Sequence, residues 1–186
     1  PQVSFGQSED HGVMVDWGDG SEPETAEGWN YTKITLTHRY REPGEYVIRF
    51  LPQGENQVCF FGSYNTGSYT FTAGKSSVRE NMKYLSAVRK IEAGSQVREL
   101  VDYCFSSFFR MESLMMGKVT EWGNGVVKEC CSLKFLGLPE GKETLSGYFF
   151  DGCVQLKHIS VPNTITRLGD YVFDKCSALQ TVNFPN

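Results

Sequence analysis

The chain has 186 residues, 40% hydrophobic, 13% aromatic and 22% charged, a composition typical of a soluble globular protein with room for one large domain or two small ones. Its net charge of −4 argues against a nucleic-acid partner, which needs a basic face, and no apolar run is long enough to span a membrane. It opens on Pro1-Gln2-Val3 with neither an initiator Met nor a signal peptide, which reads as a processed end.

Residues 1–75 are rich in Gly, Thr, Ser and Tyr and carry alternating, strand-like runs. Residues 12–17 predict a strand. Gly18-Asp19-Gly20-Ser21 predicts a turn, because Gly accepts positive φ and Asp closes an Asx-type turn. Residues 34–40 predict a strand, Arg41-Glu42-Pro43-Gly44 a turn, and residues 45–51 the returning strand. A second hairpin is expected over 58–72, turning at Asn65-Thr66-Gly67.

Two motifs here, Val15-Asp16-Trp17-Gly18-Asp19-Gly20-Ser21 and His38-Arg39-Tyr40-Arg41-Glu42-Pro43-Gly44-Glu45-Tyr46-Val47, resemble the polycystic-kidney-disease (PKD) domain of bacterial surface proteins. The resemblance implies an immunoglobulin-like, β-sandwich-like module over 1–75. The chain departs from that family at its start, where too few residues precede Trp17 to supply the first strands. The hairpin at 58–72 is not explained by the resemblance either. His38 reads as a packing histidine that hydrogen-bonds the Asp-Gly turn. Asp16 and Asp19 are thin support for calcium, which takes six to eight oxygens, so no metal is expected. Residues 74–82 are polar, have little pattern and mark a short junction.

Residues 82–186 repeat. Cys130, Cys153 and Cys176 are 23 apart, and so are Leu133, Leu156 and Leu179. The same step relates Leu136, Ile159 and Val182; Leu138, Val161 and Phe184; Pro139, Pro162 and Pro185; Val127, Phe150 and Phe173; and Leu145 and Leu168. Leu100-Val101-Asp102-Tyr103-Cys104-Phe105 aligns with Leu168-Gly169-Asp170-Tyr171-Val172-Phe173. Phe108, Met111, Leu114 and Met116 continue the columns, and Trp122 opens the next unit after a one-residue deletion. Met82, Leu85, Val88, Ile91, Ala93 and Val97 fit one unit earlier, with Gly94 and Gly117 in place of the proline. In each unit Leu-x-x-Ile-x-Val-Pro alternates as a short strand that the proline stops. The segment Leu168-Gly169-Asp170-Tyr171-Val172-Phe173-Asp174-Lys175-Cys176 is long enough for one or two helical turns. No unit buries its apolar side alone, so stacking must join the columns into one core.

Phe150-Asp151-Gly152-Cys153-Val154-Gln155-Leu156 and Phe173-Asp174-Lys175-Cys176-Ser177-Ala178-Leu179 resemble the BspA-like leucine-rich repeat of bacterial surface proteins. The expected fold is therefore mainly β with short helices: a PKD-like module followed by a leucine-rich-repeat solenoid over 82–186. The cysteine column reads as small buried hydrophobes facing their neighbours in the stack. Stacked strands about 4.8 Å apart also permit disulfides. Free thiols are favoured, because stacking already explains the spacing. No histidine shares the column, so a metal site is least expected.

No catalytic constellation emerges. His11, His38 and His158 are the only histidines, and a catalytic role would need one of them within hydrogen-bond reach of a nucleophile. Glu129, Glu140, Glu143 and Asp151 cannot be told from solvated carboxylates by sequence, and no phosphate loop, GxSxG or HExxH occurs. The chain is read as a non-enzyme without cofactor. Its x positions form three outward columns: Arg89, Glu112, Lys134, Lys157 and Gln180; Lys90, Ser113, Phe135, His158 and Thr181; Glu92, Met115, Gly137, Ser160 and Asn183. A solvated polar face is one reading. A ligand-binding face formed by Lys134, Phe135, Lys157, His158, Met115 and Ser160 is the other.

The paired resemblances imply an extracellular or cell-surface bacterial protein in adhesion, with a host or bacterial surface protein or a glycan as partner. A carbohydrate-binding accessory module and a structural spacer are the alternatives. The end at Asn183-Phe184-Pro185-Asn186 shows no cap, so the expectation is that either further repeats or a cap were lost or the open strand edge gives weak self-association.

Overall fold

The computed structural model describes residues 2–7, 12–26, 34–52, 58–60, 88–93, 97, 99–100 and 102–184. The N-terminal part has two three-stranded antiparallel sheets. In the first, β1 (Gln2–Gln7) lies between β4 (Ile34–Thr37) and β6 (Val58–Phe60). In the second, β2 (Val13–Asp16) lies between β3 (Glu24–Ala26) and β5 (Arg49–Pro52). The period-two alternation of β2 buries Val13 and Val15 and leaves Met14 and Asp16 half-buried, as a strand with one face on a core requires.

This corrects the expected hairpin of 34–40 with 45–51. Its two arms join different sheets: residues 38–48 form no strand, and pairing resumes only at Arg49. Aromatic packing accounts for the detour. His38 stacks on Trp17 with ring centroids 4.9 Å apart, Tyr40 stacks on Tyr46 at 3.8 Å, and the Tyr40 hydroxyl donates to the Trp17 carbonyl at 2.9 Å. Gly18 keeps its φ of +76° because any Cβ there would run into the carbonyl oxygen of Val47. The hairpin turn at 65–67, the junction at 74–82, Met82, Leu85, Gly94, Pro185 and His11 lie outside the described residues.

From Val88 onward the chain winds in coils. The first strand of each coil is β7 (Lys90–Glu92), β9 (Ser113–Met115), β11 (Phe135–Gly137), β13 (His158–Ser160) and β15 (Thr181–Asn183). A second, two-residue strand follows in four of them: β8 (Glu99–Leu100), β10 (Glu121–Trp122), β12 (Thr144–Leu145) and β14 (Arg167–Leu168). All pairings between coils are parallel and in register, for example Leu136 with Leu114 and Ile159 with Val182. The repeating apolar columns fill the interior. Leu114, Leu133, Leu145, Leu156, Cys130, Cys153, Phe149 and Phe150 are inaccessible to solvent. Phe150 stacks on Phe173 at 5.6 Å, and Trp122 meets Phe149 edge-on.

The expected short helices are absent from the described residues; turns occupy 102–107, 124–129, 147–152 and 170–175. Each turn segment holds two residues in the left-handed region. Tyr103, Gly125, Tyr148 and Tyr171 fill one column, with φ between 55° and 57°; Ser107, Glu129, Gly152 and Lys175 fill the other. A helix cannot propagate through such residues. Their amides donate along the solenoid instead: Tyr148 N–H to the Asp170 carbonyl, Phe150 to Val172 and Gly152 to Asp174, with matching bonds one coil earlier. A second correction concerns Leu168, which is 47% exposed although Leu145 in its column is fully buried; no described residue stacks over it.

Candidate binding face

The alternation that buries Leu114, Leu136 and Ile159 turns their strand neighbours outward. Phe135 is 55% exposed and Met115 43%, and Lys134, Lys157, His158 and Ser160 are also exposed. Register divides the six expected site residues into two groups. β11 pairs with β9, so Phe135 lies opposite Ser113 and Gly137 opposite Met115. β13 pairs with β15, so His158 lies opposite Thr181 and Ser160 opposite Asn183. No ladder joins β11 to β13: the two strands are neighbours, but the hydrogen-bonded pairing stops between Phe135 and His158. At Gly137 a Cβ would stand 3.7 Å from the terminal methyl of Met115, so the bare backbone leaves that thioether lying across the strand.

Glu112, absent from the six, organises the upper part of the face. Its carboxylate lies 3.2 Å from Arg89 Nη1 and 2.9 Å from Lys134 Nζ. The hydrogen bond from Lys134 holds its carboxyl below the usual range. The sign order Arg89, Glu112, Lys134 in one outward column was the available signal.

A second concavity lies at the turn edge, an open recess of about 400 Å³ lined by Tyr103, Asn124, Thr144, Ser146, Tyr148 and Asp170. Asp102 Oδ1 accepts from Asn124 N–H at 2.7 Å, and Asn124 Oδ1 accepts from Gly147 N–H at 3.1 Å. Tyr148 stacks on Tyr171 at 5.2 Å, with Lys128 Nζ 5.0 Å from the Tyr148 ring centre.

The remaining candidate groups are engaged in holding structure. Asp19 Oδ1 accepts from the Ser21 hydroxyl and amide, and its Oδ2 lies 2.8 Å from His38 Nε2; the Ser21 side chain first and His38 second hold this carboxyl well below the usual range. Asp16 accepts from Gly18 N–H and from Arg49. The two carboxylates thus point at protein donors, and no cluster of three metal-ligating side chains occurs among the described residues. Asp151 is buried between Lys128 at 3.0 Å and Lys175 at 3.4 Å, Glu129 accepts from Ser107, and Glu143 pairs with Arg167.

A family profile described as the BspA type Leucine rich repeat region matches residues 56–153 and 115–186, in six copies. The chain belongs to this family. The BspA-type repeats thus reach from before the first described coil to the end of the chain. Among solved structures they are similar to a leucine rich cell surface protein from Faecalibacterium prausnitzii A2-165, at 21% identity and a TM-score of 0.42. That match covers 52% of this chain and 32% of the other. No curated protein matches.

Proposed function

We propose that the chain is the non-catalytic binding part of a bacterial cell-surface or secreted protein, taking a protein ligand on the outward strand face of its repeats. One observation carries this reading: Phe135 and Met115, diagonal to each other across the β9–β11 pair, both stand exposed on the outward strand face, which also carries Lys134, Lys157, His158 and Ser160. An exposed aromatic beside a thioether is the kind of anchor that dominates protein interfaces. The surface location follows from the resemblance of the repeats, and adhesion is the role such repeats imply. A PKD-like assignment of residues 1–75 belongs to the same proposal.

The test is adsorption of the whole chain to immobilised extracellular-matrix proteins and to bacterial surface protein fractions. A Phe135→Asp substitution, placing a charge at the anchor, abolishes binding on this reading while thermal unfolding stays unchanged. Binding that survives the substitution overturns it.

The recess beside Tyr103 and Tyr148 favours a second reading, in which the chain takes a saccharide. Its polar rim of Asn124, Thr144, Ser146 and Asp170 beside tyrosine rings suits a hydroxyl-rich ligand. A glycan array separates the two, since this reading predicts binding that is lost in Tyr148→Ala and kept in Phe135→Asp.

A further inference from the structure

The first outward column of the strand face reads Arg89, Glu112, Lys134, Lys157 and Gln180. Charge alternates over its first three members, where Glu112 bridges Arg89 and Lys134. At Lys157 the alternation fails: a second ammonium follows Lys134 one coil on, and among the described residues no carboxylate reaches it. The strand ladder is broken at the same junction, between β11 and β13. Like charges on neighbouring strands repel, and water screens them only in part. Phe135 and His158 occupy the second column across this break, and Met115 lies diagonally across from Phe135, opposite Gly137. The three outward columns together hold four cations, Arg89, Lys90, Lys134 and Lys157, against two carboxylates, Glu92 and Glu112, on a chain whose net charge is −4. The face is thus net positive on a net negative chain.

We infer that the break takes an acidic segment of a protein partner, one carboxylate seated between Lys134 and Lys157 and an adjoining apolar side chain on Phe135 and Met115. The carboxylate completes the alternating column. It accepts charge-assisted hydrogen bonds from Lys157 and from donors of Lys134 that Glu112 leaves free, since an ammonium has three. The inference rests on the strand face being the binding surface and names the chemistry of its partner.

The test uses the full chain and a fluorescein-labelled peptide of glutamates flanking a single leucine, read by fluorescence anisotropy. The expected result is saturable binding that weakens as salt is raised, because the contact is largely ionic and exposed. Lys157→Gln weakens it about fivefold, the upper range for one exposed ion pair, and Phe135→Ala about tenfold. Arg167→Gln, in the exposed pair with Glu143, leaves it unchanged. Lys157→Glu supplies the missing anion from the chain itself. It abolishes peptide binding and raises Tm by about 1–3 °C. Equal binding of the peptide with glutamine in place of glutamate overturns the acidic partner while leaving the strand face in place as a binding surface. So does a lysine-independent interaction with a whole-protein ligand that still needs Phe135. Binding of heparin without binding of the glutamate peptide overturns the inference in favour of a sulfated polysaccharide, and a Tm for Lys157→Glu below that of the parent overturns the charge argument.

Discussion

The thiol of Cys153 donates a hydrogen bond to the backbone carbonyl of Val127, 3.2 Å away in the preceding coil. Cys130 does the same to Phe105, and Cys176 to Phe150. The Val127 and Phe150 carbonyls also accept from an amide within their own coil, so the sulfur takes up a second lone pair of an oxygen buried in the stack. This gives the column a reason to be cysteine rather than alanine, and a reason for the sulfurs to point at oxygen. The five cysteines whose side chains are described are free thiols. Titration with a thiol reagent in denaturant, without reductant, is expected to count all six, including Cys59. A count of four or two would establish bridges.

Burial suppresses the ionisation of these thiols. It pushes Cys176 up to about 11 and lifts Cys130 and Cys153 as well. A raised folded value means that the folded state holds its proton where the unfolded chain has lost it. The stabilisation is therefore complete below the ordinary thiol value near 9 and declines as pH climbs through 9 towards 11. Urea melts between pH 8 and 10.5 should show stability falling with pH, with a shallower slope in Cys176→Val. Parallel slopes for the two proteins would remove the thiol from the explanation.

Leu156 is sealed in the column between Leu133 and Leu179. Leu156→Ala is expected to cost about 2–5 kcal/mol in a denaturant melt, the transfer of the lost methyls plus the cavity left behind. A loss below about 0.5 kcal/mol would mean that neighbouring coils close over the gap.

Asp102 binds the next coil through its side chain, Oδ1 accepting from Asn124 N–H. Asp102→Ala should cost about 0.5–1.5 kcal/mol, whereas Asp102→Asn, which keeps the acceptor oxygen, should be nearly neutral. Equal losses for the two would point to the charge rather than the bond.

Gly18→Ala places a methyl against the Val47 carbonyl at a φ of +76°. The N-terminal sheets should lose more than about 2 kcal/mol, from backbone strain and displacement of the segment carrying Tyr46. Trp17 fluorescence is a local probe, because its buried ring stacks on His38. Unfolding that leaves the Trp17 signal at its parental midpoint would contradict the close approach.

The columns Leu133 and Leu156, Cys130 and Cys153, and Leu136 and Ile159 were legible in the sequence because each stacks on its own copy one period on, and one buried copy implies the next. The turn segments were not. Their amides pair with another coil, so no local pattern reports the bond, and Tyr103, Tyr148, Tyr171, Glu129 and Lys175 carry no chemical sign of a left-handed backbone. Asp170-Tyr171-Val172-Phe173 therefore reads as a helix and folds as turns. Leu168 was recognisable as a column member, but its exposure depends on what lies above it. In the binding face the outward columns followed from alternation. The split between β11 and β13 did not, because register between strands is a tertiary property. The Asp102–Asn124 row leaves no mark in the sequence, because one Asp and one Asn in a column resemble ordinary turn residues.

The bonds from Tyr148 to Asp170, Phe150 to Val172 and Gly152 to Asp174 all run parallel to the solenoid axis. A tether pulling along that axis loads coil junctions in series, so the weakest yields while its neighbours hold. Each coil of 23 residues then pays out roughly 75 Å of chain. A ligand gripped on the strand face under shear would thus be attached to an extensible element that lengthens in steps, limiting the peak tension its contact has to bear.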